Sequence, residues 1–179
     1  MQHKLDVIPS VGLVADTCDT YRDCLFDPSR NPRYPRPGAV SEGYLAKCSS
    51  LLRADGALLI QAITIQDQLY AAALGNVDFI QRFVFPGSFI PSITAIADAT
   101  ARTTDMKLFH LRDIGPHYAT TLRKWREAFF ASIDKVRALG YPEQFIRLWD
   151  YYLCYCEGGF AERQLGDVQM LLVKRGFRG

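Results

Sequence analysis

The longest regular pattern lies in the second half of the chain. Over 117–139, apolar residues recur at steps of three and four: Tyr118, Leu122, Trp125, Phe129, Ile133, Val136 and Leu139. That period predicts one helix with a single apolar stripe. Pro142 then opens a second helix with Phe145, Leu148, Trp149, Tyr152 and Cys156 inward, and the Gly158-Gly159 pair marks a bend or a close backbone approach. Elsewhere the period changes. Residues 57–65 form a nearly continuous apolar run interrupted by Gln61 and Thr64, the pattern of a strand buried on both faces as in parallel sheets. Alternation over 106–113 predicts a second strand, and 168–174 predicts a third. Ahead of the first strand, Ser41 suits the N-cap of a helix carrying Tyr44, Leu45, Cys48, Leu51 and Leu52 on one face. Ala54-Asp55-Gly56 would end it, the glycine supplying a positive φ. An aromatic segment over 79–87 ends in a turn, and Pro91-Ser92 start a short helix with Ile93, Ile96 and Ala97.

This regularity stops short of the N-terminus. Residues 27–38 interleave Pro28, Pro32, Pro35 and Pro37 with Arg30, Arg33 and Arg36, which removes backbone donors and predicts a linker. Residues 1–26 offer one strand-like stretch at 11–15, too little to bury much surface alone. The expected organisation is therefore an N-terminal segment over 1–40 and an α/β domain over 41–179.

At 179 residues, 49% hydrophobic and 22% charged, the chain has the composition of one soluble globular domain. A net charge of +2, without a basic cluster in a reader motif, argues against nucleic acid as a partner. The five cysteines, Cys18, Cys24, Cys48, Cys154 and Cys156, are odd in number and lack a CxxC pair, so reduced thiols and a cytoplasmic location are expected. Cys154 and Cys156 stand two apart and diverge on a helix, so no metal site is expected there. Asp16 interrupts the apolar stretch at 11–15, and no apolar segment approaches the ~20 residues that cross a bilayer. Membrane contact is expected to be peripheral, at the inner face.

Several blocks agree on one family. Lys47-Cys48-Ser49-Ser50-Leu51-Leu52-Arg53-Ala54-Asp55-Gly56, the strand to Ile65, and the stretch 78–92 resemble the second half of cyclopropane-fatty-acyl-phospholipid synthases and related fatty-acid methyltransferases. Arg123-Lys124-Trp125-Arg126, Ala138-Leu139-Gly140-Tyr141, Trp149-Asp150-Tyr151-Tyr152 and Val168-Gln169 continue the likeness in order. It implies an α/β fold, the C-terminal half of a Rossmann-like S-adenosylmethionine methyltransferase with an aromatic-rich helical insertion. It also implies transfer of a methyl(ene) group from S-adenosylmethionine to the cis double bond of a phospholipid acyl chain, with a buried bicarbonate ion taking the proton that the carbocation loses. By the same resemblance Tyr118 hydrogen-bonds the anion, Gln61 and the Ile63 backbone complete its site, and Tyr152 and Cys156 line the acyl pocket.

The residues also admit plainer roles. Tyr118 suits the first rung of its helix, Gln61 a satisfied structural amide, and Tyr152 and Cys156 plain core. Phe79, Phe83, Phe85 and Phe89 either cover an acyl chain or fill core, and Arg123, Lys124 and Arg126 either meet headgroups or form a solvated face. His117 suits a helix start.

The methyl donor's half of the fold has no visible counterpart. Gly12, Gly38 and Gly43 are isolated, Glu42 has no secure equivalence to an anion-site glutamate, and Cys18 and Cys24 lie in unmatched sequence. Three expectations follow: a truncated enzyme inactive alone, one half of a split enzyme completed by a partner chain, or a non-catalytic module that binds lipid or a partner. Half a sheet leaves an open flank, so marginal stability is expected.

Overall fold

The computed structural model describes residues 37–86 and 88–178. The strand-like stretch at 11–15 and most of the Pro/Arg-rich linker lie outside these residues. In order, the chain forms α1 (Pro37–Leu51), β1 (Ala57–Ile65), α2 (Asp67–Leu74), α3 (Phe79–Phe83), α4 (Ile93–Thr103), β2 (Lys107–Asp113), α5 (Gly115–Ala131), α6 (Ile133–Ala138), α7 (Glu143–Ala161) and β3 (Leu165–Val173). The first helix begins ahead of Ser41, which therefore lies within α1 and not at its cap.

β3 occupies the centre of a three-stranded sheet of order β1-β3-β2 and runs antiparallel to both neighbours. This corrects the expectation of β1 as a strand in a parallel sheet. An apolar run reports burial and carries no information about the direction of the strand beside it. Coverage is also one-sided over much of β1: Leu58, Ile60, Ala62 and Thr64 are buried, whereas Leu59 is 45% exposed.

The two faces have separate cores. Leu45 and Cys48 of α1, with Ile96 and Ala99 of α4, pack on Leu58, Ile60, Ala62, Val168, Met170 and Leu172. Across the sheet, Ala119 and Leu122 of α5 and Leu153 and Phe160 of α7 pack with Ile63 and Leu165, near one end of the sheet. The result is a three-layer α/β/α arrangement. Ser92 caps α4 by accepting from the Ala95 N–H at 3.1 Å, as Pro91-Ser92 predict.

Several local expectations are corrected. The helix expected over 117–139 breaks at Ser132, whose N–H bonds the Phe129 and Phe130 carbonyls. Leu139 is 76% exposed and Trp125 51%. Periodicity aligns side chains on a face without guaranteeing that a neighbour reaches it. Leu51, at 64% exposure, leaves the α1 face for the same reason. Gly56 is not left-handed; a Cβ there would stand 3.1 Å from both the Arg53 carbonyl oxygen and the Leu52 Cβ, so crowding explains the glycine.

Gly158 and Gly159 lie inside α7, which continues to Ala161 without the bend. A Cβ on Gly159 would meet Leu165 Cδ1 at 2.9 Å, whereas one on Gly158 meets nothing within 4 Å. Gly158→Ala is therefore expected to stabilise the protein by about 0.5–1 kcal/mol, through helix propensity. Gly159→Ala gains little, because Leu165 must shift; paired urea denaturation curves check the contrast.

Candidate functional site

The cross-strand register sets four side chains side by side on the sheet face under α5 and α7. Gln61 lies opposite Gln169, and Ile63 opposite Asp167. Directly paired residues share a face, so the four form two adjoining rows. Gln169 Nε2 donates to Gln61 Oε1 at 3.2 Å, and Gln61 Nε2 donates to Asp167 Oδ2 at 2.9 Å. The amide of Gln61 is thus oriented at both ends. Asp167 is 1% exposed, and its Oδ1 has no hydrogen-bond partner among the described residues.

Asp167 was missed by sequence reasoning, which began the last strand at Val168. The available signal was a lone aspartate, flanked by Gly166 and Val168, in a strand otherwise rich in apolar residues. Burial is the first cause holding its carboxyl above the usual range; the Gln61 hydrogen bond opposes this, and the Asp113 charge adds to it.

Backbone bonding places the Ile63 N–H. Gln66 bonds towards β3's side, to the Gln164 carbonyl at 3.1 Å, while Ile65 bonds the opposite way, to Pro91 at 3.1 Å. Antiparallel alternation gives Ile63 the direction of Ile65, so its N–H points to the flank of β1 that β3 does not cover.

Tyr118 arrives from above because the start of α5 is fastened to β3. The Ile114 N–H bonds the Asp167 carbonyl at 2.7 Å, and the Gly115 N–H bonds Asp113 Oδ1 at 2.8 Å. The Tyr118 ring then lies 4.8 Å from Phe160 and 6.2 Å from Trp125, centroid to centroid. Burial, then the charges of Asp167 and Cys156, raises its phenol, so the hydroxyl stays protonated at neutral pH. It is a hydrogen-bond donor and not a base.

Tyr152 and Cys156 share one face of α7 and join Tyr118, Ile63 and Leu165 in one apolar cluster. Burial first of all pushes the Tyr152 phenol up to about 12 and the Cys156 thiol up to about 11. Both are neutral, which excludes Cys156 as a ready thiolate nucleophile. The structure therefore brings together Tyr118, Ile63, Tyr152 and Cys156, with Gln61 attached through Asp167.

A groove of about 430 Å³ runs between α5 and α7, lined by Trp125, Ala128, Phe129, Trp149, Tyr152 and Leu153. A second cavity, of about 300 Å³, lies beside the C-terminal half of α7, against Leu69, Ile80, Phe89, Tyr155 and Gly159. The aromatic segment is not a closed core: Phe79 packs edge-on to Tyr151 at 4.6 Å and Phe85 to Tyr152 at 6.0 Å, while Phe83 is 56% exposed. Of the basic residues, Arg123 pairs with Glu157 at 2.9 Å and Arg126 with Asp150, tying α5 to α7.

Two groups implied by the resemblance can be tested against these residues. Among the described residues, β1 passes through Gln66 directly into α2, and β2 through Ile114 into α5 with a single glycine, so no glycine-rich strand-to-helix turn is present to cradle a nucleoside. A bicarbonate ion is poorly matched to the sheet residues. The carbonyl of Gln61 is taken by Gln169, and its amide meets the Asp167 carboxyl.

Known proteins share this arrangement of helices and strands. The family model for mycolic acid cyclopropane synthetase matches residues 39–170. The chain is similar to tuberculostearic acid methyltransferase UfaA1 of Mycobacterium tuberculosis, 38% identical over 74% of this chain and 31% of that protein. It is also similar to cyclopropane-fatty-acyl-phospholipid synthase of Escherichia coli, 36% identical over 55% of this chain and 24% of the other. The cyclopropane synthase MmaA2 from Mycobacterium tuberculosis superposes with a TM-score of 0.67 at 25% identity, over 76% of this chain and 50% of that one. The chain thus spans half or less of each of these proteins. It belongs to the mycolic acid cyclopropane synthetase family and carries part of that family's Rossmann-like methyltransferase fold.

Proposed function

We propose that this chain supplies the acyl-binding side of an S-adenosylmethionine-dependent enzyme that methylates the cis double bond of a phospholipid acyl chain, and that a partner chain holds the methyl donor. The observation that carries this reading is the aromatic groove between α5 and α7, joined through Tyr152 to the Tyr118 cluster. An alkene is a weak nucleophile and its methylation leaves a carbocation, so the reaction needs a dry, apolar site with aromatic faces. Trp125, Phe129, Trp149 and Tyr152 offer such faces. S-adenosylmethionine supplies the methyl group when bound. Tyr118 offers its hydroxyl as a donor, with Gln61 held on the sheet by Gln169 and Asp167. No helix among the described residues is long and apolar enough to cross a membrane, which suits peripheral contact at the cytoplasmic face.

Calorimetric titration of the purified chain with S-adenosylmethionine is expected to show no saturable binding, and clear micromolar affinity would sink the division of labour. Once a complementing half is supplied, methylated acyl product is expected from phospholipid vesicles. Tyr118→Phe should lower that turnover by roughly 10- to 100-fold, the effect of one hydrogen bond to a charged group.

The lack of a glycine-rich strand-to-helix turn among the described residues favours a second reading, a lipid-binding module without catalysis. It predicts that the chain alone sediments with liposomes and that Trp125→Asp, at a half-exposed wall of the groove, abolishes this. Equal sedimentation of both proteins would exclude the groove as the lipid site.

A further inference from the structure

Helices α2 and α3 are rich in apolar residues, yet neither contains a fully buried one. Leu74, Val77, Phe83 and Phe85 are exposed, Val77 at 58%, and Tyr151 and Tyr155 of α7 continue the patch. Phe79 joins the two parts: its ring lies 4.6 Å from Tyr151, 5.7 Å from Tyr155 and 5.6 Å from Phe83, centroid to centroid. An exposed apolar surface of this kind marks a contact with a membrane or another protein. Its placement ties it to both cavities. Ala73, Asn76 and Asp78, interleaved in the chain with Leu74 and Val77, line the cavity of about 300 Å³ together with Tyr155. At the other side Phe85 meets Tyr152, a wall of the α5–α7 groove.

Charge decides the kind of surface that fits. Over 66–86 the charged side chains are Asp67, Asp78 and Arg82. Asp67 accepts from the Thr94 N–H at 3.1 Å and Asp78 from the Gln81 N–H at 2.8 Å, so both carboxylates are engaged within the fold. The Arg82 guanidinium lies over the Phe83 ring, 5.4 Å from its centroid, where it can reach a headgroup while the ring goes deeper. A basic cluster would point to anionic lipid; one arginine beside two acids does not. Tyr151 and Tyr155 supply the amphipathic rings that sit at headgroup level.

We propose that the α2–α3 segment, with Tyr151 and Tyr155, docks this protein on a zwitterionic lipid bilayer and brings the rim of the acyl groove against it. This deepens the acyl-methylation reading above and rests on it. An acyl chain that leaves a bilayer through water loses about fourfold in equilibrium constant for each methylene exposed, so the rim of the site must touch the membrane. Leu74, Val77, Phe83 and Phe85 enter the interfacial layer, and Arg82 stays among the headgroups. Binding comes from apolar burial and not from net charge.

The test is co-sedimentation of the 179-residue chain with phosphatidylcholine vesicles. The chain is expected to bind, with a partition coefficient that changes less than about twofold between ~0.05 and ~0.5 M salt and is indifferent to added phosphatidylglycerol. Val77→Asp combined with Phe83→Asp should weaken binding at least roughly tenfold. Leu139→Asp, which places the same charge at an exposed leucine outside the patch, should leave it unchanged. Both positions of the double variant are exposed, so its melting temperature should match the parent's. Val77→Trp should bind roughly threefold more tightly, a gain that misfolding does not produce.

Absence of vesicle binding, equal binding by the parent and the double variant, or binding that requires phosphatidylglycerol and is lost in salt would each overturn the proposal. If absent binding comes with self-association that the double variant loses, the patch is a contact between copies of the chain. Loss of binding in Trp125→Asp with full binding in the double variant overturns the docking surface and leaves the groove reading standing. Vesicle binding as expected, without methylated product once a complementing half is supplied, fails the acyl-methylation reading alone.

Discussion

Leu172→Ala is expected to lower the unfolding free energy by about 3 kcal/mol, inside the roughly 2–5 kcal/mol range for such truncations in packed cores. Leu172 lies on the central strand with 0% exposure, between Leu58 of β1 and Leu108 of β2. Helices α1 and α4 contribute Leu45, Cys48, Ile96 and Ala99 to the same cluster. The cavity is thus walled by elements from distant parts of the chain, and closing it would require several of them to move together. Native domains hold only about 5–15 kcal/mol in total. A loss of this size takes a large share of that total. Urea denaturation checks the value, and a change under about 1 kcal/mol would mean that the sheet's main core is loosely packed.

Gly115→Val is expected to cost about 1–3 kcal/mol by overpacking and to damage the site as well. A Cβ at this position would stand 2.9 Å from the Asp167 backbone nitrogen, 3.0 Å from Gly166 Cα and 3.0 Å from Asp113 Oδ1. Two of these neighbours are backbone of the central strand, and the third is the carboxylate that bonds Gly115 itself. None is the free end of a flexible side chain. The first turn of α5 must therefore lift from β3, carrying Tyr118 away from Phe160. A change in Trp125 fluorescence alongside the loss of stability is the expected signature. The Gly158→Ala variant serves as control, since its Cβ meets nothing within 4 Å. Unchanged stability in Gly115→Val would show that α5 is not fastened where the contacts place it.

The chain carries two kinds of information, local and assembled. The bounds of β1 were legible because an apolar run follows a glycine, and the start of α4 because Pro91 precedes a capping serine. These are local signals. The insertion of β3 between β1 and β2 was not legible, because neighbour and direction are properties of the assembled sheet. The break at Ser132 was hidden for a related reason: the apolar spacing continues across it, although the helix does not. Family likeness, not periodicity, drew Gln61, Ile63, Tyr118, Tyr152 and Cys156 together. Asp167 escaped both approaches, since a single acidic residue in a short strand has no period, and its burial depends on β1 lying opposite.

The outer flank of β1 has a further consequence, one of concentration. Among the described residues its backbone is bridged on that side only at Ile65, to Ser92. Such a row of outward N–H and C=O groups accepts whichever strand arrives first, including a second copy of itself. Where that flank stays uncovered, the yield of usable protein would fall as chain concentration rises, whatever the strength of the folded core.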